Sequence, residues 1–347
     1  MNKQDQRSGD SSTNIQANEI IIHQGPSYSE VKEIALAVFR DNFYDLAGKA
    51  RHIARERADE ITEEFLQKLQ AENPLGFLKS EDPDFQHALF TVQKEYARTG
   101  DRDLGDLLVD LLVDRSKQEQ RDILQIVLNE SLNTAPKLTN DQLAVLAIVF
   151  LFRYTQNFTV GNHQMLGEYF DQHVLPFAEK LSKSDSCYQH LEYSGCGSIG
   201  MGEITLDEIL KQSYRGLFLK GFEAAEVARK EITVGLDTRF FIPCLNDLTK
   251  LQVKATNKEA LQIHLDSNPI KEEDRAKIIS LLDHGLMSNE EVISKCISIR
   301  PYMEQVFLTW ASSPMKKFTL TSVGIAIGHA NIKRLLGEFS NLRIWIN

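Results

Sequence analysis

The residues in this chain most able to do chemistry crowd into one stretch, Cys187 to Gly202, CYQHLEYSGCGSIGMG. Cys187, His190 and Cys196 could supply three zinc ligands, with Glu192 or Asp185 as a fourth. Structural zinc wants four ligands, usually from two close pairs, and the spacing here is irregular. Thiols that are buried or partly buried are the better reading, and no metal is expected. Cys196 and His190, with Glu192 beside them, could also serve as nucleophile and base. Such pairs are defined by spatial geometry, not by closeness in sequence. A chain with nine histidines and four cysteines always offers one.

The same stretch holds Gly195-Cys196-Gly197-Ser198-Ile199-Gly200, which fits G-x-G-x-x-G. Dinucleotide binding would need a strand before it, a helix directly after, and an acidic residue ~20 positions on. YQHLEYS is a poor buried strand, and no alternating strand–helix pattern surrounds it. Glu223 stands at a fitting distance, but acids are plentiful in this chain. The motif reads as a turn, with an anion cradle of backbone amides as the lesser alternative. No cofactor is expected. Further on, His329 and Asn331 lie in GIAIGHANIKRLLG. They read as part of a helix packing Ile325, Ile332 and Leu335 inward, with a polar pocket as the alternative. No P-loop, H-E-x-x-H, G-x-S-x-G or kinase signature is present.

These residues need elements to hold them. The chain has 347 residues, 42% of them hydrophobic, enough for a large core and more than one unit. Net charge is −10, and no basic run offers phosphates a surface, so no strong nucleic-acid signal is present. Four scattered cysteines are not a disulfide framework. The polar opening MNKQDQRSGD lacks a signal core, and the most apolar run, Leu143 to Phe152, is half the ~20 residues of a membrane span. A cytoplasmic protein without a membrane segment is expected.

Helical spacing dominates from Ser27 onward. Val31 to Leu69 recur at three- and four-residue steps, as one long amphipathic helix or two that meet at Gly48. Asp82-Pro83 looks like a cap with proline in the first turn. Ser116 with Glu119, Thr139 with Gln142, Thr205 with Glu208 and Ser288 with Glu291 have capping-box spacing. His163 to Leu181 reads as helix, Ser182 to Glu203 as loop, and Thr233 to Val253 is ambiguous. Asn257 opens a helix, Pro301 and Pro314 bracket another, and Thr321 to Leu336 forms the last. The alternation of Leu342, Ile344 and Ile346 predicts a terminal strand, with the leader or Phe240 to Ile242 as its partner.

The leader, Ser8 to Gly25, is different. Ile15 and Ala17 share one face at period two, while Ile20 and Ile22 share the other, so the face switches near Asn18. Such a piece is marginal alone. It fits self-association, with Asn14, Ile15, Ile20 and Ile22 as the contacts between copies; pairing with the C-terminal strand of the same chain and a disordered polar leader are the alternatives.

This leader resembles the SGDNSTNIQA-type opening of several bacterial families. SYSEVKEIALAVFRDNF, LTNDQLAVLA, YSGCGSIG, LTSVGIAIGHANIKR and the terminal IWIN resemble one of them, the LPO/Vpar-type family, over nearly the full length. Ser11 stands where that leader usually has Asn. The resemblance implies a shared assembly module, some of it in stress or antiphage loci, and it implies no catalytic residues.

The expectation is a mostly α protein with a short N-terminal β motif and a C-terminal β-strand. Its parts are a leader (1–26), a helical domain (27–156) and a second α-rich domain (157–347). The expected function is that of a homo-oligomeric interaction or sensor protein with a protein partner. The alternative is an enzyme with its site around Cys187–Gly202.

Overall fold

The computed structural model describes residues 26–42, 48–283 and 285–347. The leader residues Asn14, Ile15, Ile20 and Ile22 lie outside the described residues. The rest is mostly α. The amphipathic run from Val31 forms two helices, α1 (Tyr28–Asn42) and α2 (Gly48–Glu72). They pack with α3 (Pro83–Thr99) and α4 (Arg102–Ser116). Asp82 caps α3 as its spacing predicts, accepting from the Phe85 amide at 2.8 Å. Ser116 and Glu119 form no capping box. Ser116 ends α4 and its hydroxyl donates to the Val113 carbonyl, while Asp122 caps α5 (Ile123–Thr134). A closer cap outcompetes the predicted one.

Helix α6 (Asn140–Tyr154) is the centre of the molecule. Every residue from Gln142 to Phe152 is buried, as expected of a helix that is apolar on all sides. The predicted capping box of Thr139 and Gln142 starts it. The run from His163 contains α7 (His163–Tyr169), a wide π turn (Phe170–Val174) and α8 (Leu175–Ala178). Pro176 has no N–H for the Gln172 carbonyl, which accounts for the widening.

The stretch read as loop is largely ordered structure. Tyr188 and Leu191, three apart and both buried, hold α9 (Asp185–Tyr193) on the core. Strand β1 (Gly197–Ile199) follows, then α10 (Leu206–Ser213) with the predicted Thr205–Glu208 box. A smaller lobe contains α11 (Ala224–Arg229), β2 (Phe241–Pro243), β3 (Leu251–Val253), α12 (Lys258–Asp266) and α13 (Glu272–Asp283). There β2 pairs antiparallel with β3, Phe241 opposite Val253.

The chain then returns to the main body with α14 (Asn289–Ile299), α15 (Met303–Ser312), β4 (Phe318–Leu320) and α16 (Ser322–Leu336). Strand β4 pairs antiparallel with β1, Gly197 opposite Leu320. Helix α16 lies along α6 and also meets α4 and α5. One apolar cluster accordingly runs from Val31 to Ile346, across the expected boundary at 156. A second, within Leu219–Leu282, belongs to the smaller lobe.

The predicted terminal strand is not formed. Leu342–Ile344 is a 3₁₀ turn, opened by the Asn341 side chain on the Arg343 amide. The buried residues are Leu342 and Ile346, one helical turn apart, while Ile344 faces outward. The period-two pattern was misleading because Leu342 and Ile346, four apart, also share one face of a helical turn. No described helix is long and apolar enough to cross a membrane.

Candidate functional site: a cavity at the end of the central helix

Helix α6 stops at Tyr154, and Thr155 turns into extended backbone. The next residues are tied to α10. The Gln156 side chain donates to the Ser213 carbonyl at 2.7 Å, and the Asn157 amide donates to the Tyr214 hydroxyl at 3.0 Å. The end of α6 therefore stands open as one wall of a cavity of about 1010 Å³. Tyr169 and His173 reach it from α7 and the π turn, and Phe339 and Trp345 from the C-terminal segment.

Trp345 is held firmly. Its indole N–H donates to the Tyr154 carbonyl at 2.7 Å, and its ring meets Phe150 edge-on with centroids 4.9 Å apart. Phe339 packs beside it, against Phe150 and His329. At the mouth, Phe158 and Ile344 are 84% and 63% exposed.

Arg153 brings the one full charge among the described lining residues. Its Nη2 donates to the Lys316 carbonyl, and its guanidinium carbon sits 5.7 Å from the Trp310 ring centroid. Its Nε is buried without an acceptor. No Asp or Glu pairs with it among the described residues. Burial lowers the proton affinity of this guanidinium. His173 stacks on Tyr169 with centroids 4.9 Å apart, and burial pulls its imidazole below the ordinary value. The His173 Nδ1 is buried with no well-aligned partner.

The residues singled out by sequence lie elsewhere. Cys187 and His190 share a shallower groove of about 430 Å³ with Thr139 and Asp141. The His190 ring faces the Gln142 amide at 2.9 Å. Burial raises the Cys187 thiol. Cys196 is in the core and lines neither cavity; burial pushes its thiol up to about 12. Glu192 accepts from the Ile199 amide at 3.0 Å. No group of three metal-ligating side chains comes together among the described residues.

The G-x-G-x-x-G segment contains β1 itself, with no strand before it. Of its glycines, Gly197 serves close packing against β4, as Gly324 of α16 does against the residue before β1, while Gly195 has a positive φ of 75° and open space around it. A Cβ on Gly197 would fall 2.4 Å from the Phe318 ring, and one on Gly324 would fall 1.9 Å from the Cys196 carbonyl oxygen. His329 and Asn331 are both buried, and His329 borders a smaller cavity of about 330 Å³ between α16 and the C-terminal segment. His329 Nε2 donates to the Ser340 carbonyl at 2.6 Å, and Asn331 donates to the Leu143 carbonyl at 3.1 Å.

Sequence reading missed Arg153, His173, Phe339 and Trp345 as site residues. Arg153 ends the apolar run of α6, where a cation suits the helix dipole. Its lack of a carboxylate is a property of the folded chain alone.

Fold and cavity define a mostly α-helical protein with a large, mainly apolar cavity at the end of its central helix. A family model whose description reads only ":-like" matches residues 25–346, and the chain belongs to that family. No curated protein and no solved structure matches the chain.

Proposed function

We propose that the protein is a non-enzymatic sensor that binds a small molecule in the α6 cavity and self-associates through its leader. The cavity carries this reading. It is concave, mostly apolar and furnished with a few polar groups, and its size is at the upper end of ligand pockets, ~300–1,000 Å³. The enzymatic alternative at Cys187–Gly202 has less support, because the Cys196 thiol is buried and held protonated. Assembly through Asn14, Ile15, Ile20 and Ile22, a protein partner and action in the cytoplasm rest on the sequence. A stress or antiphage role rests on the resemblance alone.

Two measurements test the proposal. N-phenyl-1-naphthylamine, an uncharged fluorescent probe, should bind saturably at one site, and Gln212→Trp at the cavity wall should remove that binding. Unchanged binding in the variant would place the probe elsewhere and count against the cavity. Light scattering should give an oligomer for the full chain and a smaller mass for Ile20→Asp/Ile22→Asp. Equal masses would exclude the leader as the assembly device.

A further inference from the structure

We infer that the ligand of the α6 cavity is an organic anion, with one negatively charged head on an apolar body. This rests on the sensor reading and narrows it to a chemical class.

The head is argued from Arg153. A guanidinium cannot shed its proton under ordinary conditions, so burial leaves it charged. A charge withdrawn from water is costly unless paired. Arg153 has a carbonyl, an aromatic ring and an unsatisfied Nε around it, and no carboxylate among the described residues. The chain carries 49 acidic residues, yet none lines this cavity among those described. An anion entering here meets a cation and no repulsion. A cationic ligand meets the reverse.

The number of charges follows from the number of cations. One guanidinium offsets one negative charge, and its N–H groups suit the oxygens of a carboxylate, phosphate or sulfonate. A polyphosphate would bring charges with no counterpart. The body is argued from the walls. Trp345 and Phe339 give flat apolar surface, and Phe158 and Ile344 leave an apolar mouth in water. Covering them would add hydrophobic gain to the ionic contact.

The test compares 1-anilinonaphthalene-8-sulfonate with N-phenyl-1-naphthylamine, which has the same rings and no sulfonate. Fluorescence titration of the full chain should show the sulfonate binding at least about tenfold more tightly, the effect of one charge-assisted hydrogen bond. High salt should shrink that gap. Arg153→Gln should bring the two probes to similar affinity, and Arg153→Lys should keep most of the difference. Decanoate or decyl phosphate should displace the sulfonate, and the better competitor tells carboxylate from phosphate. Equal affinity of the two probes, or displacement as effective by decanol, would overturn the anion class while the sensor reading stands. Binding of neither probe would overturn both. Should Arg153→Gln fail to fold, the salt series on the unaltered chain decides: a gap insensitive to salt overturns the inference.

Discussion

Arg153 is partly and Cys196 wholly withdrawn from water, and burial acts on them differently. The thiol stays neutral, while the guanidinium stays charged. Cys196 should therefore resist iodoacetamide in the native chain near ~pH 8, where an ordinary thiol reacts. Peptide mass spectrometry should find Cys187 alkylated first, and rapid labelling of Cys196 would contradict its burial. Glu64 shows a third outcome. Burial, then the neighbouring Asp106 carboxyl, raise its carboxyl from 4.5 to about 7. The folded chain thus keeps a proton that the unfolded chain gives up within that window. This contribution makes stability fall as pH rises from about 4.5 to about 7. Asp106→Asn should flatten the fall, read as the change in urea midpoint between ~pH 5 and ~pH 8. The same pH dependence in both proteins would refute the coupling. None of this is legible from residue types, since it depends on which groups meet across helices.

At the scale of elements, local chemistry was easier to read. The boxes at Thr139, Thr205 and Ser288 need only neighbours three residues apart, and all three form. Thr139→Ala should cost about 1 kcal/mol in urea denaturation. A cost near zero would mean that packing alone fixes the start of α6. Misreadings arose where a pattern had two uses. In α9, Gly and Ser nearby hid the pair Tyr188 and Leu191. At the C-terminus, Leu342, Ile344 and Ile346 fit a strand by parity, but Leu342 and Ile346 also fit one helical turn. Tertiary partners chose between the two. The junction of α16 with β1 is similarly unreadable from sequence. Gly324→Ala would press a methyl into the Cys196 carbonyl, at a cost of about 3 kcal/mol. A neutral result would mean that the two elements can separate without loss.

For the whole molecule, the decisive ties join distant parts of the chain. Lys333 on α16 lies 2.9 Å from Glu72 on α2, and 3.4 Å and 3.3 Å from Asp110 and Asp114 on α4. Asp110 is fully buried and is also met by Lys68 at 2.6 Å. Lys333→Met would leave these acids short of one cation, which predicts a loss of about 3 kcal/mol, the low end for a broken buried pair because Lys68 remains. Chemical denaturation checks the size, and a change under ~0.5 kcal/mol would show the network to be solvated. Helical content was legible from periodicity, but this joining of α16 to α2 and α4 was not.

Helix α6 is apolar on every side, and its long partner α16 is completed only at Leu336, after a further 182 residues (336 minus 154). At ribosomal speeds of ~5–20 residues per second that is roughly 10 to 40 s of synthesis. During that time a finished α6 has one flank uncovered. A nascent chain stalled before α16 should therefore expose this apolar flank, the kind of surface that makes a partly folded chain prone to aggregate.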